Sequence, residues 1–260
     1  MTVIAAYRAG PLGGVNPVAK FGFSLAITLG LLLTIDWVSA AVALAAELVL
    51  LAFVGLPPKL VVVRTAPVWI AAPLAGLTAV LYGRTSGTVY WHWSLIEVSD
   101  GSIALGAATA LRVLAIGIPA VLLFVTIDPT DLADGLAQVL RLPARFVLGG
   151  LAGLRLVGLF IDDWRALGLA RRARGVADHG AVRRFLGQAF ALLVLSIRRG
   201  SKLATAMEAR GFGAPVPRTW ARPSVFRVRD WMVVLLGVGV ALLATGVAIA
   251  AGSWNLVGAS

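Results

Sequence analysis

The tripeptide Ala-Arg-Gly occurs twice, as Ala173-Arg174-Gly175 and as Ala209-Arg210-Gly211. A guanidinium does not make or break bonds. It gives directional, charge-assisted contacts to an acidic pocket through a planar fork of N–H donors. A Gly just past the last helical residue takes the left-handed conformation that stops a helix. The Arg before it lies in the final turn, where the helix dipole favours a cation. Each copy therefore predicts a helix tip with a positive charge pointing away from the helix body. A single Arg-Gly at a helix end is a commonplace cap. The pair stands apart because it is duplicated, closes two long helix-patterned stretches starting near Pro143 and Ala181, and includes the richer context Ala206-Met207-Glu208-Ala209-Arg210-Gly211-Phe212-Gly213.

Residues for reaction chemistry are scarce. The sequence has no G-x-x-x-x-G-K-[ST] phosphate loop, since Gly200-Ser201-Lys202 lacks the upstream glycine, so the chain cannot hydrolyse ATP by that route. With no cysteine and only His92 and His179, thiolate chemistry, disulfides and a His-rich metal site are excluded. Asp134-Gly135 lacks the further residues of lipid phosphotransferases. Asp162 and Asp163 are adjacent, about 100° apart on a helix, so they predict salt bridges with arginines such as Arg155 or Arg165 rather than a metal site. Two charges fall inside apolar spans, Glu47 and Arg112. Both lie about nine residues into spans that run the same way, so they are expected to share a depth and to form a structural intramembrane ion pair.

The elements that must position these residues are membrane helices. The chain of 260 residues is 59% hydrophobic and 13% charged, with a mean hydropathy of +0.91, against about 25% charged in a soluble domain. This predicts an all-α integral membrane protein. Runs of about 20 apolar residues suit the hydrocarbon thickness, and Pro17–Ile35, Val38–Leu56, Ala66–Tyr82, Ile103–Ile127 and Trp231–Ala251 are the predicted spans. Residues 21–35 could be taken for a signal-peptide core, but 20 residues precede them and further spans follow, so a retained first span is the reading adopted. The third span, with Pro67 and Pro73, is expected to kink or tilt. Trp231 and Trp254 suit interfacial anchors.

The net charge of +11 is concentrated: residues 127–230 hold 17 Lys/Arg and 8 Asp/Glu. Arg8 and Lys20, Lys59 and Arg64, and this block fall on one side of a five-span topology, which the positive-inside rule makes cytoplasmic. The N-terminus is then inside and the C-terminus outside. The organisation read from this pattern is 1–127 for transmembrane helices 1–4, 128–213 for cytoplasmic helices, 214–230 for a basic connector, and 231–260 for the last span and the C-terminus. The cytoplasmic block predicts a short helix, Asp131–Leu140, with Thr130 as N-cap, then two long helices ending at the Ala-Arg-Gly copies. Their apolar first halves suit an interfacial position, and Gly149 and Gly153 have the spacing of a close helix crossing. The connector, rich in Pro and Arg, suits contact with anionic lipid.

These residues resemble the transmembrane (T) component of energy-coupling-factor transporters, prokaryotic importers of vitamins or transition-metal ions. Tyr7-Arg8-Ala9-Gly10 and Asn16-Pro17-Val18-Ala19-Lys20 are similar to the family's Tyr-Arg-Pro-Gly and Asp-Pro-Arg-x-Lys openings, with departures at Ala9, Asn16 and Val18. Thr126-Ile127-Asp128-Pro129 and Leu142-Pro143 look like its entry into the coupling helices. Arg171-Arg172-Ala173-Arg174-Gly175 and Ala206-Met207-Glu208-Ala209-Arg210-Gly211-Phe212 resemble its two coupling motifs, complete and in order. The resemblance implies a non-catalytic scaffold in the cytoplasmic membrane, with one short and two long crossing coupling helices. It implies as partners two ATPase subunits, alike or different, and a small membrane substrate-binding subunit. It makes Ala173, Arg174, Gly175, Ala209, Arg210 and Gly211 the ATPase docking residues. ATP is then bound by the partners, and this chain needs no cofactor or metal of its own.

A reading from another class is a stand-alone membrane enzyme or channel that uses the basic block to hold an anionic lipid or nucleotide. A nucleic-acid role is not expected, because the charge sits on membrane-tied helices with no recognisable binding module.

Overall fold

A computed structural model describes residues 13–34, 36–54, 57–83, 86–93, 96–175, 180–214 and 219–254. Tyr7–Gly10, His179 and residues 215–218 of the basic connector lie outside them. The elements are α1 (Pro17–Leu32), α2 (Trp37–Val54), α3 (Pro58–Tyr82), β1 (Val89–Trp93), β2 (Ile96–Ser99), α4 (Asp100–Val125), α5 (Pro129–Gln138), α6 (Ala144–Ala173), α7 (Ala181–Ala209) and α8 (Val228–Ala250). The protein is an all-α membrane protein with one small hairpin. The chain divides into two compact units, Met1–Gly135 with Ser224–Ser260, and Leu136–Pro223. The division falls inside α5, so this helix begins in the unit formed by the spans, whereas the sequence reading grouped all of it with the long helices.

Helices α1, α2, α3, α4 and α8 coincide with the five expected spans. Residues 61–82 of α3, together with α4, α6 and α8, are long and apolar enough to cross a membrane, and α1 and α2 are shorter apolar helices. Thus α6 also meets the criterion that the sequence reading reserved for the spans, because its apolar first half outweighs the basic end. None of its residues is buried. Helix α3 starts eight residues before the expected span and continues through Pro67 and Pro73.

The spans pack around two apolar clusters. Ile27 and Leu31 of α1 meet Ala43 of α2, Ala115 of α4, and Val240 and Ala244 of α8. Val68 of α3 packs with Ile118 and Leu122 of α4, joined by Leu51 of α2. In a bilayer, helices gain little from burying apolar surface against one another, and small residues allow the close backbone contact that holds them. A Cβ at Gly76 of α3 would lie 2.9 Å from the carbonyl oxygen of Gly106 on α4, and one at Gly237 of α8 would lie 2.8 Å from the Phe23 backbone on α1. The expected crossing at Gly149 and Gly153 is not formed, since nothing among the described residues lies within 4 Å of either position.

Polar capping fixes where the helices begin. Asp230, 1% exposed at the start of α8, accepts from the backbone N–H of Asn16 (2.7 Å) and of Arg227 (2.7 Å). Asn16 caps α1 by accepting from the Val18 N–H at 3.0 Å, and its Nδ2 donates to Ser224 Oγ at 3.0 Å. Lys20, also buried, lies within electrostatic reach of Asp131 and Asp230. Helix α5 is capped by Asp128, whose Oδ1 accepts from the Thr130 N–H at 2.8 Å. The cap is therefore two residues earlier than the expected Thr130, because an aspartate there reaches the first free N–H groups. On the opposite side, Ser99 and Ser102 form a reciprocal capping box at the start of α4. The Trp91-His92-Trp93 segment, expected as loop, is a strand of the β1–β2 hairpin, with Tyr90 Oη donating to Asp100 at 2.8 Å.

Asp230→Ala is expected to cost about 3–5 kcal/mol, since it leaves the Asn16 and Arg227 backbone donors without their acceptor and removes one of the two negative charges near Lys20. Asp230→Asn, which keeps an acceptor, is expected to cost less. Thermal unfolding of the detergent-solubilised chain checks the order, and equal melting of wild type and Asp230→Ala would refute it.

Candidate functional site

The two arginine motifs adopt the same backbone geometry. Arg174 closes α6 with φ −91° and ψ 4°, and Arg210 closes α7 with φ −92° and ψ 12°. Gly175 and Gly211 follow in the left-handed region, at φ +66° and +76°. The Gly175 N–H donates to the Arg172 carbonyl at 3.0 Å, and the Gly211 N–H to the Glu208 carbonyl at 2.9 Å. At the second tip the Phe212 N–H also donates to the Met207 carbonyl at 2.9 Å, completing a Schellman cap. Both arginines and both glycines are exposed. A Cβ at Gly175 or Gly211 would meet nothing within 4 Å, so glycine is required by the backbone turn rather than by crowding.

The helices that carry the tips cross each other. Arg199 of α7 grips Asp163 of α6 with both terminal nitrogens: Nη1 lies 2.6 Å from Oδ2, and Nη2 donates to Oδ1 at 2.9 Å. Gln188 of α7, 7% exposed, donates from Nε2 to the Trp164 carbonyl at 2.5 Å. The Trp164 and Phe185 rings meet edge to face with centroids 5.5 Å apart. The Arg171 guanidinium lies on Gly187, where a Cβ would come within 2.9 Å of Nη2. Going along α6 from Asp163 to Arg171, the partners on α7 go from Arg199 back to Gly187, so the helices pass in opposite senses. Arg174 consequently lies near the start of α7 and Arg210 at its far end. From the level of Gly187 to Arg210 is about 35 Å along α7, at 1.5 Å per residue.

Sequence reasoning placed Asp162 and Asp163 in salt bridges with their neighbours. Asp162 does pair locally with Arg165 at 3.8 Å, both exposed. Asp163 instead pairs across the crossing. Arg199, Gln188 and the Arg171–Gly187 contact were missed. Gln188 carried a signal, as a polar residue in the apolar run from Gly187 to Leu195.

Glu47 and Arg112 are not brought together as an ion pair. Both carboxylate oxygens of Glu47, and Nε and Nη2 of Arg112, are buried without a hydrogen-bond partner. The register of α2 against α4 explains this. Ala43 shares a cluster with Ala115, while Leu51 packs on Ile118 and Leu122. Arg112 is thus level with about Ala40, and Glu47 lies seven residues further on, about 10 Å away along the axis. Side chains on parallel helices lean the same way, towards their N-termini, so the gap does not close. Asp36 is a negative charge within electrostatic reach of Arg112. Asp36 in turn caps α2, accepting from the Ser39 N–H at 2.7 Å and Oγ at 2.6 Å.

Residues 10–219 match the family model described as cobalt transport protein. Several proteins named energy-coupling factor transporter transmembrane protein are similar to this chain. The one from Lacticaseibacillus paracasei is 33% identical over 177 residues, covering 61% of this chain and 66% of its own length. The one from Limosilactobacillus fermentum is 28% identical over 171 residues, covering 61% of this chain and 64% of its own. The one from Acidaminococcus fermentans is 28% identical over 219 residues, covering 79% and 78%. The chain spans just under two thirds of the length of the first two.

Glu47→Met is expected to stabilise the chain by about 1–3 kcal/mol, since it removes buried unsatisfied acceptors at similar volume. In a double-mutant cycle with Arg112→Met, the coupling is expected to stay within about 0.5 kcal/mol, as for sites that share no partner. A coupling above about 1 kcal/mol in thermal unfolding would restore the ion pair.

Proposed function

The chain belongs to the family of transmembrane components of energy-coupling-factor transporters, and on that premise we propose that it is the non-catalytic membrane scaffold of an ATP-driven importer. The observation that carries this reading is the twin geometry of Arg174-Gly175 and Arg210-Gly211 on two crossed helices. Two tips at opposite ends of α7 suit a pair of ATPase subunits, each taking one arginine in an acidic groove. A bidentate arginine on a rigid helix end transmits displacement as well as attachment. Closure of the ATPases on ATP then moves the tips and tilts the helices.

A small membrane substrate-binding subunit rides on the exposed apolar first halves of α6 and α7, where Phe146, Leu154, Phe185 and Phe190 lie uncovered. The cargo is a vitamin or transition-metal ion selected by that subunit, and ATP is bound by the partner ATPases. The chain lies in a prokaryotic cytoplasmic membrane. The distribution of Lys and Arg supports an N-terminus and coupling helices inside and a C-terminus outside.

Arg174→Ala and Arg210→Ala are each expected to leave membrane insertion intact while weakening retention of the ATPase pair by several kcal/mol and lowering ATP-dependent uptake. The double variant is expected to lose nearly all of both, and Lys at either position to rescue only in part. Co-purification and uptake in reconstituted vesicles read these out. A double variant that holds its ATPases and transports normally makes the motifs simple helix caps. The chain purified without other subunits is expected to hydrolyse no ATP, and turnover in such a preparation would overturn the scaffold reading.

A further inference from the structure

Between α6 and α7, beside their crossing, lies a pocket of about 640 Å³, a volume in the usual range for ligand sites. Its wall includes Arg165, Arg171, Arg172 and Arg184, with Trp164 and Gln188, and among the described residues it contains no carboxylate. Asp163, half-buried on α6, is taken by Arg199, which does not line the pocket. Asp162, exposed, lies 3.8 Å from Arg165. Arg171 is held in place against Gly187, with its guanidinium laid across the crossing. Four guanidinium groups around one void repel one another, and an anion between them removes that cost.

We propose that this pocket holds the phosphate of an anionic phospholipid headgroup. Arginine forks match phosphate oxygens in pairs. A lipid rather than a soluble phosphate is favoured by what adjoins the pocket. Phe185 of α7 stands exposed in the pocket wall and meets the Trp164 ring edge to face, with centroids 5.5 Å apart. On α6, Leu169 stands exposed in the pocket wall itself. Leu169, Phe185 and Trp164 thus give acyl chains an apolar contact in the same wall that carries the guanidinium groups. Trp164 at the same place has the amphipathic ring typical of a membrane interface, and basic pockets between helices on the cytoplasmic face are a known physical solution for anionic headgroups. Arg171 and Arg172 lie in the last turn before Arg174, so the pocket adjoins the first tip, and lipid binding there does not depend on the docking role of Arg174 or Arg210.

The test uses the full chain in detergent, titrated with phosphatidylglycerol, phosphatidylcholine or inorganic phosphate and read by native mass spectrometry. Wild type is expected to bind phosphatidylglycerol at least tenfold more tightly than phosphatidylcholine. R171Q/R184Q is expected to lose that preference, while R198Q/K202Q, which removes the same charge from exposed positions of α7 outside the pocket, changes it less than twofold. Gly168→Met fills the pocket without altering charge. Its Cβ would meet Gln188 at an ordinary 3.5 Å, and the same loss is expected, so it decides the matter if R171Q/R184Q does not fold. Equal binding of the two lipids overturns the proposal, as do equal losses in the two charge variants, which would mean diffuse surface attraction. Binding of inorganic phosphate in preference to phosphatidylglycerol, lost in R171Q/R184Q, would assign the pocket to a soluble phosphate and overturn the lipid.

Discussion

The membrane unit depends on one buried carboxylate at which two helices begin. Asp230 sits at the first turn of α8 and receives the N–H of Asn16, the cap of α1, as well as the N–H of Arg227 from its own helix. The positive ends of both dipoles thus converge on one negative charge, with Lys20 within reach. A buried charge is tolerated when it is paired and fully hydrogen-bonded, and here the satisfaction comes from chain segments more than 200 residues apart in sequence. The arrangement fixes α1 and α8 side by side in the same sense. Their register then follows from close contacts such as Gly237 on Phe23. It also anchors α5, since Gly135 packs against Val18 and Asn16. The chain leaves the spans at a fixed place before it builds its two long helices.

The second unit solves a different problem. Two helices of about 45 Å must be held in one register with few contacts between them. An apolar contact alone would permit sliding, because neighbouring apolar registers differ little in energy. Asp163–Arg199 and Gln188 on the Trp164 carbonyl are directional and available in one register only. Polar residues that fix register at some cost in stability are a well-attested device in helix pairs. The crossing therefore determines where Arg174 and Arg210 stand, and the caps determine which way they face.

Much of this was legible in the sequence, for definite reasons. Span positions follow from runs of apolar residues, and both arginine tips from Gly after a long helical pattern, because the left-handed turn leaves little choice of residue. What failed was whatever depends on register between helices. Glu47 and Arg112 were matched by counting from span ends, and the true offset is set by Ala43 meeting Ala115. Gly149 and Gly153 had the right spacing but face open space, while Gly76 and Gly106, on separate helices, make the close approach. Asp163 was assigned a neighbour in sequence when its partner lies 36 residues away. Sequence spacing reports on one helix at a time, and a crossing is a relation between two.

The exposure of α6 follows from the same division. None of its residues is buried, and α7 buries only Gln188, although both helices carry rows of large apolar side chains. A helix draws most of its stability from packing an apolar face, so these two acquire theirs from whatever covers them, lipid or protein. A partner that binds the covered form stabilises it by mass action. The two helices are thereby softer when uncovered than when covered. For the scaffold role proposed above, displacement of the arginine tips would reach the apolar faces only when both ends are engaged.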